Sequence, residues 1–408
     1  MPKWNTLLPT EVKQTCVLKI QLKEVLSPNY HCKNFFHGKF KIKFTTTFPN
    51  TTMSLIRIIK KNYRKSRLKR WNRLYDRSHV TRVEKGLQVL ANQGRKLSVG
   101  DSKKAEEYAR TVLGSVDFAP WLKLYAAFRG EFLEGWIPDN YLGRIVCPSI
   151  NGNLKSLGEY KTLSRKLLQT DALPDLVYRI NGSWLLPTGE KTSLAQAKAL
   201  CFDQNPYVFL KKDFSFQGNG VNKLKASDFD VFDFGKAGDF VIQSPIYQHP
   251  FLEEFSPGAV ATLRITTVKP FGQSAKNHLC ALRVGRKGMD FIYASDCIRI
   301  PLWADEGRFF PTATTADWKI LEKHPDTGVS FDGKIIPYFQ EAVQLCEALH
   351  DKNPHLQLIG WDAAIDVEGK VKLMEWNTNE PGIIFSESAN GPHFKGLNWE
   401  GLSRNQGN

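Results

Sequence analysis

No Asp or Glu occurs between Val25 and Tyr75, a gap in which thirteen lysines and arginines stand. They account for most of the chain's net charge of +15 and leave only +2 for the rest of its 408 residues. A polyanionic partner would therefore meet this N-terminal arm and not the nearly neutral body. Long apolar runs are missing as well. None approaches the roughly 18 residues a membrane span needs, and the opening stretch MPKWNTLLPTEVKQTC has no signal-peptide core. The expected location is the cytoplasm, with the basic arm available to the inner face of a membrane. The seven cysteines (Cys16, Cys32, Cys147, Cys201, Cys280, Cys297 and Cys346) are odd in number, scattered and without CxxC spacing. That argues against both a disulfide framework and a zinc site. Zinc-finger spacing and RNA-binding aromatic motifs are also absent, so no specific nucleic-acid recognition is expected.

What is present suffices for folded cores: 42% of residues are hydrophobic, and the length suggests two or three domains. Residues 1–52 are expected to be disordered or a mis-called leader ahead of a start at Met53. Residues 53–140 read as a basic, mainly helical region. Within it, Leu55, Ile58, Ile59, Leu68, Trp71 and Tyr75 recur at helical spacing over residues 54–75. Such a helix can lie on an anionic membrane, touch nucleic acid, or pack with one face solvated. From about Lys161 the pattern alternates between helices (KTLSRKLLQ, SLAQAKALC) and strands (DLVYRI, SWLL, YVFLKK). Longer strands follow from Asp239 (DFVIQSPI, VATLRITTV, HLCALRV, FIYASDCIRI), then a helix at IPYFQEAVQLCEALHDKN. The fold class is α+β. Residues 141–240 and 241–395 read as successive parts of one module, and 396–408 as a tail.

The stretch WDAAIDVEGKVKLMEWN, residues 361–377, reads as an antiparallel hairpin turning at Glu368–Gly369. If Val367 pairs with Lys370, Asp362 falls opposite Glu375. Asn377 then shares their face, while Ala363, Ile365 and Met374 take the other. Like charges directly opposite on a sheet repel. The pattern fits either an exposed acidic hairpin or a hard cation such as Mg²⁺ held by three oxygen-bearing side chains.

Four further features accompany the hairpin. YVFLKKDFSFQGNGV runs from a strand ending near Lys211 into a loop carrying Gly218 and Gly220, either an ordinary turn or a cradle for phosphate. Arg264 and Arg283 sit inside apolar strands, where each needs an anionic partner. DFVIQSPIYQHP is an apolar strand broken at Ser244–Pro245, which releases backbone groups beside the sheet. NTNEPG places Asn379 and a turn at Gly382 directly after the hairpin.

Together these stretches resemble the ATP-grasp superfamily over roughly residues 140–395. Within it they are similar to the sugar-transfer associated family, through EGWIPDNYL, HPFLEEFSPGAVATLRITTV, KHPDTGVSFDGKIIPYFQEA and IGWDAAID…LMEWNTNEPG. The resemblance implies an ATP-grasp fold, two α+β subdomains clasping ATP, preceded by the basic helical region. It implies two Mg²⁺ ions on Asp362, Glu375 and Asn377. Nucleotide contacts would fall to Lys161, Lys211, Gly218, Gly220, Gln243, Ile246 and Asn379, and Arg264 and Arg283 would be the charge-stabilising catalytic residues. Gln243 stands where relatives more often carry Glu, the glycine loop is sparser than the family's, and SDCIRIPL around Asp296 lacks expected glycines.

The implied activity is an ATP- and Mg²⁺-dependent carboxylate–amine ligase. It would work through an acylphosphate and join small-molecule carboxylate and amine substrates, a sugar acid and an amino acid or amine, in surface polysaccharide or related biosynthesis. Two competing readings are a phosphotransferase on the same fold, and a non-catalytic protein that docks on membrane or polyanion through its basic arm.

Overall fold

The computed structural model describes residues 50–215 and 220–407, with side chains from residue 61 onward except 64, 65 and 405–407. The expected leader lies outside the described residues but for its last three. Two compact units divide between Lys69 and Arg70. In the first, residues 50–69 are helical, the opening of α1 (Asn50–Asn92). The helix expected to end near Tyr75 thus continues to Asn92. Past Tyr75, the residues His79, Val83, Gly86 and Leu90 keep a buried stripe in steps of three and four.

The second unit, Arg70–Asn408, holds two antiparallel sheets and their helices. Helix α2 (Val99–Thr111) starts where the Ser98 hydroxyl accepts from the Asp101 N–H at 2.9 Å. Helix α3 (Ala119–Arg129) stops at Gly130, whose φ of 101° closes the last turn. Their apolar faces build a core around Trp121, Tyr125 and Trp136. That core reaches the larger sheet at Val268, Leu279 and Leu358.

The smaller sheet comprises β1 (Asp175–Ile180), β2 (Ser183–Leu185), β3 (Lys191–Thr192), β4 (Val208–Lys212), β5 (Val221–Leu224) and β6 (Phe240–Gln243), in the order β3-β2-β1-β6-β4-β5. Helix α4 (Lys161–Leu168) precedes it. Helix α5 (Leu194–Phe202), opened by a Ser193–Gln196 capping box, packs Ala197 and Cys201 against Val177, Val208 and Leu210. The larger sheet comprises β7 (Thr262–Val268), β8 (Lys276–Val284), β9 (Ile298–Leu302), β10 (Ala313–Thr314), β11 (Ile320–Leu321), β12 (Leu358–Ile365) and β13 (Val371–Asn377), in the order β11-β10-β9-β8-β7-β12-β13. Helix α6 (Phe339–Asp351) covers one face, where Leu263, Ile265, Trp361, Ala363, Ile365, Leu373 and Trp376 are buried. The alternate residues face the other way. Helix α7 (Ile384–Asn390) follows β13 after a loop.

Two expectations need correction. FIYASDCIRI is not one strand: Tyr293–Cys297 forms turns, with the Ser295 hydroxyl donating to the Asp296 carboxylate, and pairing begins at Ile298. The hairpin turn is also longer than expected. The Asp366 N–H donates to the Lys370 carbonyl, which encloses Val367–Gly369, a three-residue loop with Gly369 at φ 78°. That shifts the pairing by one, so Ala363 faces Leu373. A bulge at Met374 then restores it, and Asp362 stands opposite Glu375, Trp361 opposite Trp376 and Gly360 opposite Asn377. The extra residue turns Met374 away from the core side, contrary to expectation: its sulfur lies 3.6 Å from the Thr262 hydroxyl.

Candidate functional site

The outer face of the larger sheet carries the polar residues, because β7 and β12 bury alternate side chains on the α6 side. Register places Arg264 beside Asp362 and Asp362 beside Glu375. The Arg264 guanidinium holds Asp362 at two points, Nε to Oδ1 at 2.6 Å and Nη2 to Oδ2 at 2.9 Å, and also donates to the Pro381 carbonyl. Arg283 Nη1 is 3.8 Å from Asp362 Oδ2, and Asn377 Nδ2 is 3.4 Å from the same oxygen. Burial alone would raise the Asp362 carboxyl. The charges of Arg264 and Arg283, with the hydrogen bonds from Arg264, outweigh it and hold the group below the ordinary carboxylate range.

The smaller sheet aims a second set of groups at this face. Lys211 Nζ reaches across to the Met374 carbonyl at 3.3 Å. Burial draws its amine below the ordinary lysine range, while the nearby charges of Glu375, Asp175 and Asp362 act against that and Lys161 adds to it. Lys161, the first residue of α4, donates to the Ser215 carbonyl at 3.0 Å. Gln243 ends β6 directly opposite Asp175, and its Nε2 donates to Asp175 Oδ1 at 2.7 Å. The amide oxygen is the side of Gln243 on which an amine could donate. Ile246 lies half-buried in the segment joining the two sheets. Gly220 directly precedes the return strand β5, and an added Cβ there would stand 2.2 Å from that of Ser215. Gly218 lies outside the described residues.

Asn379 and Gly382 lie in the loop after β13. The Asn379 Oδ1 atom is buried and takes no hydrogen bond among the described residues. Gly382, at φ 72°, brings its backbone to the arginines: an added Cβ would be 3.7 Å from nitrogens of both Arg264 and Arg283. The sequence-predicted residues Asp362, Glu375, Asn377, Arg264, Arg283 and Lys211 therefore share one neighbourhood. Two neighbours escaped the sequence reading. Arg299 pairs with Arg283 across β8 and β9 and shares the signal that marked the other two arginines, an Arg between apolar residues, here Ile298 and Ile300. Asp175, an acid heading an apolar strand, is buried. Burial raises its carboxyl against the hydrogen bonds of Tyr178 and Gln243 and the charge of Lys211. A cavity of about 400 Å³ lined by Thr162, Lys212, Asp213 and Asp239 includes none of the hairpin residues.

Among the described residues, no three His, Cys, Asp or Glu side chains cluster as a metal site. The donor set here is two carboxylates and an amide, and it suits a hard cation. Asp362 and Glu375 stand directly opposite each other in the register, and two facing carboxylates repel unless a cation lies between them. The orphaned Asn379 oxygen adds an unused acceptor nearby.

Residues 227–399 match the family described as sugar-transfer associated ATP-grasp. The matched segment holds Gln243, all three arginines and the whole hairpin. The two antiparallel sheets with their helices form the α+β architecture expected from the sequence. No curated protein matches the chain. Among solved structures, it resembles an ADP complex of N5-carboxyaminoimidazole ribonucleotide synthetase at 12% identity, covering 57% of this chain and 51% of that one, with a TM-score of 0.35. It also resembles the D-alanine-D-alanine ligase from Coxiella burnetii at 11% identity, covering 62% and 60%, with a TM-score of 0.36. A third is the biotin carboxylase domain of the Hydrogenobacter thermophilus 2-oxoglutarate carboxylase with MgADP and bicarbonate, at 12% identity, covering 60% and 45%, with a TM-score of 0.35. The chain spans less than two thirds of each.

Proposed function

We propose that this protein is an ATP-dependent carboxylate–amine ligase. The observation that carries the reading is the meeting of two sheets at one point: Lys211 from the smaller sheet reaches the backbone of β13 beside Glu375, on the face that bears Asp362, Arg264 and Arg283. A triphosphate needs that convergence of cations, held rigidly by strands from two sides. Lys211 and Lys161 would bind its phosphates, and Gln243 with the backbone at Ile246 its base. Mg²⁺ held by Asp362, Glu375 and Asn377 would, when bound, neutralise charge on the phosphates.

Arg264, locked by Asp362, keeps the carboxylate oriented, and Arg283 stands ready to offset charge on the transferring group. A substrate carboxylate oxygen attacks the γ-phosphorus of ATP, the bond to the bridging oxygen breaks, and ADP leaves an acylphosphate. An amine then attacks the acyl carbon, phosphate departs, and the amine's proton is lost to base or solvent. The family description, sugar-transfer associated, favours a sugar acid as the carboxylate; we infer that it is joined to an amino acid or other amine, in surface polysaccharide or related biosynthesis.

The test is phosphate release from ATP by the purified chain with Mg²⁺ and paired pools of sugar acids and amino acids. Phosphate together with a new amide supports the ligase, and a product retaining phosphate would instead mark a phosphotransferase. Glu375→Ala should lower turnover at least a hundredfold. Unchanged turnover in that variant would overturn the assignment.

A further inference from the structure

Beside the row Arg264–Asp362–Glu375 runs a second polar row. Thr262 on β7 pairs with Arg283 on β8, Arg283 with Arg299 on β9, and Arg299 with Thr314 on β10. Paired residues share a face, and Thr262 is two residues from Arg264, so the rows run side by side about 7 Å apart. Their chemistry differs. The first contains two carboxylates; the second places two guanidiniums directly opposite each other with no carboxylate of its own, an arrangement that repels.

Neither arginine finds a dedicated counter-ion among the described residues. The nearest carboxylate to Arg283 is Asp362 at 3.8 Å, beyond hydrogen-bond range and already gripped at both oxygens by Arg264. Arg299 donates to the carbonyls of Ala294 and, at 3.5 Å, Cys297, and stacks 4.5 Å from the Phe385 ring of α7. These contacts fix its plane without neutralising it. Burial pulls both guanidiniums below their ordinary range, Arg283 to about 10. At the end of the row the Thr314 hydroxyl oxygen is buried and takes no hydrogen bond among the described residues, although Thr314 is only 1% exposed. Such unspent polar groups are uncommon in folded interiors.

We propose that Arg283 and Arg299 form the seat for the carboxylate of the acid substrate. This rests on the ligase reading above and adds Arg299 as a residue that binds and positions that substrate. The strand of Arg299 lies three places from that of Asp362, roughly 14 Å in the sheet. A phosphoryl group over the first row would meet Arg264 and Arg283, whereas an oxyanion bridging Arg283 and Arg299 would sit beyond it, lined up to receive the phosphoryl group.

Inorganic phosphate serves as the oxyanion probe, read by phosphorus NMR on the full chain saturated with Mg²⁺ and an ATP analogue whose β–γ bridge is nitrogen. Phosphate should bind although the analogue fills the γ position. Arg299→Gln should weaken phosphate at least tenfold and the analogue less than twofold, and Arg299→Lys should lie between. Expulsion of phosphate by the analogue would identify the seat with the γ position and overturn the proposal. So would an Arg299→Gln protein that keeps phosphate affinity within twofold, or loses analogue affinity equally. Should Arg299→Gln fail to fold, judged by its thermal midpoint, Arg299→Lys decides by the same ratio. If wild-type protein binds no analogue, the ligase reading falls, while phosphate binding alone still tests the arginine pair.

Discussion

Asp362 and Arg264 are 6% and 7% exposed at their side chains, so their two-point pair is desolvated. Such a pair adds little net stability while intact but strands a charge when halved. Asp362→Asn should therefore cost about 3 kcal/mol in urea unfolding and abolish ATP turnover. A loss of stability below about 1 kcal/mol would show that water reaches Arg264. His350 offers a pH test remote from the site. Its ring is wholly buried between the Thr267 hydroxyl at 2.7 Å and the Leu356 carbonyl at 2.9 Å. Burial, foremost, lowers its pKa to about 4. The folded state thus binds the His350 proton less tightly than the unfolded chain. That contribution is fully present above the ordinary value near 6.5 and is lost as pH falls from there towards 4. Stability should drop by up to about 1.4 kcal/mol per pH unit across that window, and His350→Gln should flatten the slope.

At the scale of elements, the hairpin shows how two local departures compensate. The three-residue loop displaces the pairing by one, and the Met374 bulge displaces it back, so the opposition of Asp362 and Glu375 survives an incorrect turn. Gly369 belongs to that loop: its φ of 78° disfavours any side chain, and a Cβ would stand 2.3 Å from the Tyr338 ring. Gly369→Ala should lower the unfolding free energy by at least about 1 kcal/mol, measured by urea titration. Deleting Met374 is the sharper experiment. It would leave a regular hairpin with Asp362 still opposite Glu375 and with Leu373 and Trp376 still on the core side, but without the carbonyl that accepts from Lys211. The expected result is a midpoint close to wild type and a nucleotide affinity reduced tenfold or more. Equal affinity would detach Lys211 from the site.

For the folded unit as a whole, the question is what keeps the two sheets facing each other. Besides Lys211, the edge strand β5 contributes a contact across the gap among the described residues: Lys223 pairs with Asp290 in the β8–β9 loop while lying 4.4 Å from the Tyr207 ring. The side chains are 30% and 62% exposed, so the pair contributes under about 1 kcal/mol and weakens with salt. Lys223→Ala should leave the thermal midpoint nearly unchanged yet raise the KM for ATP a few-fold, because the gap closes less often. An unaltered KM at low ionic strength would remove this contact from closure. No described helix is long and apolar enough to cross a membrane.

What the sequence determined by itself was local. Alternation between 361 and 377 implies a hairpin with an acidic residue on each strand, and an arginine between apolar residues must seek an anion, whereas the opposition of Asp362 and Glu375 depends on the Met374 bulge, which the alternation does not show. The helix at SLAQAKALC and the helical spacing over residues 54–75 are legible for the same reason: each depends on neighbours a few residues away. The tertiary structure alone decided which strands lie side by side. Only the order β9-β8-β7-β12-β13 brings Arg299, Arg283 and Arg264 together beside Asp362, from positions up to 98 residues distant in the chain. Only the meeting of two sheets delivers Lys211 to Met374. Pairing between distant strands is chosen by the sum of buried apolar contacts over a whole core, a quantity that no single segment carries.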